Sequence, residues 1–129
     1  MVLPERVPSE GVPALLARTP YGSPYSAANE EFYRDMARVH AARGYAYVLQ
    51  DVRGRGKSEG EFIPETYEIT DGRTTTEWMA AQVWSNGRIG TIGGSYLGYT
   101  ALAAAIDNPL VEVVIADDTS NDERTTRPG

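Results

Sequence analysis

The stretch Gly93-Gly94-Ser95-Tyr96-Leu97-Gly98 decides how this chain folds, because it joins two segments of opposite character. Before it, Arg88 to Gly93 (RIGTIG) is a short apolar run, typical of a buried strand. After it, Tyr96 to Ile106 is rich in alanine, typical of a helix, and Asn108-Pro109 ends that helix. A serine between such a strand and helix, with glycine two positions earlier, predicts a sharp turn that exposes the serine hydroxyl.

This turn makes Ser95 the candidate nucleophile. The helix that follows would direct its N-terminal end at the developing negative charge, with the backbone N–H of Tyr96 as one oxyanion-hole donor. The pattern departs from G-x-S-x-G, since Leu97 stands at the second position after the serine and glycine at the third. From these six residues alone, a glycine-rich turn that packs tightly or binds a phosphate remains an alternative.

Strands and helices alternate along the rest of the chain. Apolar runs predict strands at Val12–Arg18, Tyr45–Gln50, Arg88–Gly93 and Leu110–Ala116. Amphipathic or alanine-rich stretches predict helices at Ala27–Arg43, about Asp71–Val83 and Tyr96–Ile106. This alternation is typical of an α/β fold, a mostly parallel sheet with helices on both faces. The tail from Asp117 to Gly129 is polar and expected to be poorly ordered.

Two of the helices have a predicted inward face. In the first, the apolar stripe is expected to run through Phe32, Met36, Val39 and Arg43, with Gly44 just beyond the helix. In the second, Thr70 is the expected cap, and the inward side chains are Trp78, Met79 and Val83.

The chemistry of a parallel sheet is concentrated where its strands end. Those ends are Thr19–Tyr21, Asp51–Gly56, Gly94–Tyr96 and Asp117-Asp118. The other three strand ends are therefore expected to lie near Ser95, and candidate catalytic partners of Ser95 are expected among their residues.

Composition excludes several classes of function. The net charge is −6, and only one of the twelve basic residues is a lysine, so a nucleic-acid partner is not expected. The absence of cysteine removes disulfides, zinc–thiolate sites and a cysteine nucleophile, and no cofactor or metal is predicted. No apolar run approaches the ~20 residues that cross a bilayer, so no membrane partner is expected. The cytoplasm is favoured, with an upstream signal peptide left open.

Several motifs occur in one order along the chain: Arg18-Thr19-Pro20-Tyr21, Gly44-Tyr45, Asp51 to Gly60 (DVRGRGKSEG), Glu77-Trp78, Trp84 to Gly87 (WSNG) and the G-x-S-Y-x-G turn. Together they resemble the X-Pro dipeptidyl-peptidase/cocaine esterase group of α/β-hydrolases, the CocE/NonD or peptidase S15 family. The sequence departs from the family pattern at Asp71 to Thr74 and after Asp118, which puts substrate preference in doubt more than the fold.

The resemblance implies acyl transfer through a covalent acyl-serine, with a small ester, amide or short peptide as substrate. It also implies a role for Tyr21, whose phenol hydroxyl would be the second oxyanion-hole donor. A phenol suits this role because its hydrogen bond strengthens as charge grows on the attacked carbonyl oxygen. Without the resemblance, Tyr21 is read more simply as an aromatic residue in a turn after proline.

A serine hydrolase of this kind also needs an acid and a histidine, in the chain order Ser, Asp, His. The only histidine, His40, precedes Ser95 in the chain. It is expected near the C-terminus of the first helix, where its charge would interact favourably with the helix dipole, and not in a catalytic role. Asp117 and Asp118 follow the fourth strand and are expected to end it. Residues 1–129 are therefore expected to be the N-terminal portion of one catalytic domain, truncated at both ends and inactive alone.

Two other readings stay open. The chain would be a non-catalytic fragment or pseudoenzyme if no base is supplied, and its exposed sheet edges would favour self-association. The segment Gly54-Arg55-Gly56-Lys57-Ser58 ends like a phosphate-binding P-loop. That loop requires a further glycine where Asp51 stands and a helix directly after Ser58, so a glycine loop leaving a strand is preferred.

Overall fold

The computed structural model describes residues 1–21 and 27–118, and it contains four strands and three helices in strict alternation. In chain order they are β1 (Val12–Thr19), α1 (Ala27–Ala42), β2 (Ala46–Asp51), α2 (Glu68–Ala80), β3 (Ser85–Gly94), α3 (Tyr96–Ala105) and β4 (Val111–Asp117). The α/β class is confirmed, and each predicted element is present with bounds shifted by a few residues.

All four strands pair in parallel, in the order β2-β1-β3-β4. In this order β2 and β4 are the outermost strands. Leu16 of β1 pairs with Val48 of β2 and with Thr91 of β3, so the carboxyl ends of these strands meet at one edge. Residues 85–87 of the Trp84 to Gly87 motif lie inside β3, where the register against β1 shifts between Val12 and Ala14.

Each face of the sheet has its own apolar core. Met79 of α2 packs on one face with Leu16, Val48 and Ile89, while Ala37 of α1 packs on the other face with Leu15. A parallel sheet needs cover on both faces because its strands are apolar on both sides. The helices therefore lie where the alternating pattern requires them, α1 on one face and α2 on the other.

The predicted inward face of α1 is confirmed only at Met36, which packs against the core. Phe32 and Val39 are 59% and 48% exposed, whereas Ala37 and Ala41 are buried. Small side chains bring the helix axis close to the sheet, and the larger apolar residues then lie to its sides. An apolar periodicity alone therefore gave the right element and the wrong rotation about its axis.

The predicted start and inward face of α2 also need correction. The helix begins at Glu68 rather than Asp71, and its N-cap residue, Tyr67, makes no side-chain capping bond. Thr70 lies inside the helix, where its hydroxyl donates to the carbonyl oxygen of Tyr67. Only Met79 of the predicted inward set is fully buried, since Trp78 is half exposed and Val83 lies beyond the helix, 96% exposed.

The two outer strands differ in how well their edges are covered. The outer edge of β2 is partly closed by Val2, whose N–H and carbonyl both bond to Tyr47 at 2.9 Å. Within the described ranges β4 has a partner on one side only, and Val113 and Ile115 are about half exposed. Of the exposed sheet edges that the sequence predicts, the edge of β2 is thus covered in part, and the edge of β4 is uncovered within the described ranges.

We propose that β4 drives self-association of this chain, because an apolar strand with an unpaired edge is a template for pairing. Val113→Lys places a charge on that edge and is expected to return the chain to a monomer. Val39→Lys, an equal change at a comparably exposed site on α1, should leave association unaltered. Size-exclusion chromatography with light scattering measures this, and a wild-type monomer at all concentrations would contradict the proposal.

Candidate active site at the end of strand β3

Ser95 lies between β3 and α3, as predicted, in a conformation that few non-glycine residues adopt. Its φ is 55° and its ψ −127°, and its side chain makes no capping hydrogen bond. The residue is exposed at the carboxyl edge of the sheet. Its N–H donates to the carbonyl oxygen of Asp117 at 3.0 Å, which ties the turn to the end of β4. The hydroxyl is therefore presented outward from a strained, well-anchored turn.

Backbone strain of this kind costs roughly 1–3 kcal/mol and persists only where the surroundings enforce it. Gly93 is part of that enforcement, because a Cβ at this position would overlap Leu97 of the next helix. The need for glycine thus comes from the close return of α3 over β3. Gly94, by contrast, has room for a side chain, with its nearest contact at 3.6 Å.

The backbone N–H of Tyr96 directly follows the Ser95 turn, and its role as an oxyanion donor stays a prediction. Tyr96 is the first residue of α3, and the next N–H groups turn inward, those of Gly98 and Tyr99 both donating to the carbonyl oxygen of Ser95. Within the described ranges the Tyr96 N–H has no hydrogen-bond acceptor. It is one of the free donors that every helix start leaves, at the positive end of the helix dipole.

Tyr21 is brought to the same edge of the sheet, two residues after β1 ends. Its N–H donates to the Thr19 hydroxyl at 2.9 Å, and the residue is 40% exposed. Within residues 1–21 and 27–118, its hydroxyl makes no hydrogen bond to Ser95. The neighbouring residues 22–26 lie outside the described ranges. Its role in the oxyanion hole stays a prediction.

His40 and Asp117 occupy different ends of the sheet. His40 lies near Pro13 and Tyr45, where the strands begin, and its Nδ1 is 2.7 Å from the Met36 carbonyl oxygen. Its ring also packs on Tyr47. The chain's only histidine is therefore remote from Ser95. Asp117 lies beside the turn, but it is the backbone carbonyl oxygen of Asp117, and not its carboxylate, that accepts the hydrogen bond from the Ser95 N–H.

In the glycine loop after β2, Asp51 accepts the hydrogen bonds of the loop's own donors. The Asp51 carboxylate accepts the Lys57 N–H at 2.9 Å, and the Asp51 carbonyl oxygen accepts the Ser58 hydroxyl at 2.6 Å. Gly56 is required because a Cβ there would overlap the same carboxylate. A phosphate needs those backbone donors free and would meet a negative charge, so this geometry disfavours a P-loop.

A buried polar network lies beneath the turn, and it was not predicted from the sequence. Arg18, 2% exposed, donates from Nε to the Gln50 side chain at 2.8 Å and from Nη1 to the Glu68 carbonyl oxygen at 3.0 Å. Burial lowers the pKa of the Arg18 guanidinium, and the charge of Glu68 opposes that shift. Arg18 is a charged residue near the end of an otherwise apolar strand, and this feature of the sequence could have indicated a buried polar network.

The potential metal-ligating side chains are dispersed in the part of the chain that is described. There, no three histidine, aspartate or glutamate side chains gather closely enough to hold a metal ion. Among the described residues, no helix is both long and apolar enough to cross a bilayer.

The parallel sheet and the strained serine turn define an α/β-hydrolase. A protein of unknown function from Agrobacterium tumefaciens, provisionally assigned to that class, superimposes with a TM-score of 0.72 over 98% of this chain and 58% of its own, at 15% identity. The chain belongs to the X-Pro dipeptidyl-peptidase (S15) family, whose model matches residues 1–127.

Two relatives illustrate the range of this family. Cocaine esterase from Rhodococcus sp. (strain MB1 Bresler) is 41% identical over 102 residues, which are 74% of this chain and 16% of that protein. The structure of an α-amino acid ester hydrolase matches with a TM-score of 0.66 and 30% identity over 92% of this chain and 22% of its own. The chain thus spans about a sixth of the length of the curated relative.

The two glycines before Ser95 make a matched test of the turn. Gly93→Ala is expected to destabilise the chain by about 1–3 kcal/mol, because overpacking must displace Leu97. Gly94→Ala should change the free energy of unfolding by less than about 0.5 kcal/mol, as at sites away from special contacts. Urea denaturation measures both, and equal effects would contradict the close approach of α3.

Proposed function

We propose that this chain carries the nucleophile and the oxyanion donors of a serine hydrolase that transfers acyl groups from esters or amides. The observation that carries the proposal is the Ser95 turn: an exposed hydroxyl at a positive φ, next to a Tyr96 N–H without an acceptor. Such turns cost stability, and a fold retains them where the strain serves a site.

In the proposed reaction, Ser95 Oγ attacks the carbonyl carbon of the substrate and its proton passes to a general base. The carbonyl π electrons move onto oxygen, and the Tyr96 N–H and Tyr21 hydroxyl stabilise that oxyanion. Collapse of the tetrahedral intermediate breaks the ester or amide bond, and the leaving group takes the proton from the base. Water then hydrolyses the acyl-serine by the same steps in reverse order.

The proposed substrates are small esters, amides or short peptides. The family description, an X-Pro dipeptidyl-peptidase, and the names cocaine esterase and α-amino acid ester hydrolase support that range, because each denotes cleavage of an acyl bond. The net charge of −6 gives no support to a nucleic-acid substrate.

A general base is the component that the described residues do not offer beside Ser95. His40, at the other end of the sheet, cannot reach the hydroxyl. Members of a triad act as a unit, so a serine without its base loses nearly all of their joint effect. The isolated 129 residues are therefore proposed to behave as a non-catalytic fragment unless a base is supplied.

Without an added base, we expect the chain to hydrolyse p-nitrophenyl esters no faster than its Ser95→Ala variant. Imidazole added as an external base should then produce acylation of the wild type at Ser95, detected by mass spectrometry of the intact protein and its peptides. The oxyanion donors should make acylation faster at Ser95 than at serines that have the same hydroxyl group but lie outside such a turn.

The chain contains its own control for this experiment. Ser9 is exposed on the segment before β1, at the opposite edge of the sheet, and should acylate only at the background rate. Imidazole-dependent acylation spread equally over Ser9 and Ser95 would refute the proposed nucleophile. Serine-dependent turnover without imidazole would show that a base already serves Ser95 in this chain.

A further inference from the structure

The side chain of Tyr96 makes contacts that the proposed role of its backbone N–H does not explain. Its hydroxyl accepts a hydrogen bond from the Glu65 N–H at 3.2 Å, and its ring stands edge-on to Phe62 with centroids 6.2 Å apart. Both contacts are with the loop before α2, about thirty residues away in sequence. The residue that follows the candidate nucleophile is therefore anchored at both ends.

Glu65 and Ser95 share an uncommon backbone state. They are two of four non-glycine residues with positive φ within the described ranges, at 60° and 55°. Tyr96 connects them, since its backbone is bonded to Ser95 and its hydroxyl holds the N–H of Glu65. Strained residues need contacts that enforce them, and this side chain supplies one contact to both.

The hydroxyl of Tyr96 also faces a buried acid. Glu68 is 3% exposed, it lies close enough to the phenol for its charge to act there, and its Oε2 has no hydrogen-bond partner among the described atoms. Arg18 holds the backbone of Glu68 in place through its carbonyl oxygen. Burial, and after it the charge of Glu68, raise the pKa of Tyr96 well above the ordinary phenol range. The phenol thus stays protonated while it accepts from Glu65.

We propose that the Tyr96 phenol is a positioning group for the nucleophile turn. The hydrogen bond from Glu65 and the ring contact with Phe62 fix the side chain, and the side chain in turn fixes the direction of the Ser95–Tyr96 peptide, whose N–H faces the candidate oxyanion. The structural part of this inference stands on the contacts alone. Its catalytic part rests on the proposed role of Ser95, and the experiment separates the two.

The first arm is amide hydrogen exchange, measured residue by residue by NMR on the full 129-residue chain. Tyr96→Phe removes only the hydroxyl, and we expect exchange at Glu65 to accelerate about threefold to tenfold, the range that one net hydrogen bond represents. The amides of Ser95, Gly98 and Tyr99, which report the turn, should accelerate with it. Amides in β1 and β2 should not change.

Tyr45→Phe is the matched control, because Tyr45 is exposed just before β2 begins, near His40 at the opposite edge of the sheet. It should leave exchange at the turn unaltered. Glu68→Gln is the second variant: it keeps the shape of the side chain but loses the charge, and should give a smaller acceleration at the same four amides.

Two results in this arm would overturn the inference. Acceleration spread evenly over the sheet would make Tyr96 a general stabiliser. Acceleration at Glu65 with unchanged exchange at Ser95, Gly98 and Tyr99 would show that the phenol holds the loop without positioning the turn.

The second arm is the imidazole-dependent acylation of Ser95. Tyr96→Phe should slow it by about threefold to tenfold if the turn is loosened by one hydrogen bond, and Tyr45→Phe should not slow it. Equal rates in wild type and Tyr96→Phe would overturn the catalytic part. If the wild type is not acylated at Ser95, the proposed function fails, while the exchange measurement still decides the structural part.

Discussion

The left-handed backbone at Ser95 is the constraint on which the site depends. A chain leaving β3 must reverse at once into α3, and only a positive φ at this residue makes the reversal short enough to leave the hydroxyl exposed. The fold meets this requirement through contacts on three sides. Gly93 lets the helix return closely, Asp117 accepts the Ser95 N–H, and Tyr96 extends its side chain to the loop before α2.

These contacts come from distant parts of the chain, which explains why the turn requires most of the domain. β4 must pair with β3 before its last carbonyl oxygen can meet the Ser95 N–H. Arg18 must be buried at the end of β1 before it can hold the start of α2 through the Glu68 carbonyl oxygen. The site is thus a product of the parallel sheet, whose strands all deliver their carboxyl ends to one edge.

Apolar patterning and turn chemistry predicted much of this architecture. The serine turn and the placement of Ser95 followed from short runs and glycines, because parallel strands are apolar throughout and tight turns demand small residues. The rotation of α1 and the start of α2 did not follow. Val39 is exposed because the small side chain of Ala37 contacts the sheet instead, and Glu68 begins a helix without a capping side chain.

The sequence by itself determined the class of fold and the residue to examine, since periodicity and one hexapeptide suffice to define a strand, a turn and a helix. Only the tertiary structure decided what surrounds that residue. It buried Arg18 with Glu68, filled the glycine loop with Asp51 and joined Tyr96 to Glu65. Such contacts depend on side-chain directions across dozens of residues, and local preference carries no information about them because burial and hydrogen bonding are settled only when the elements pack.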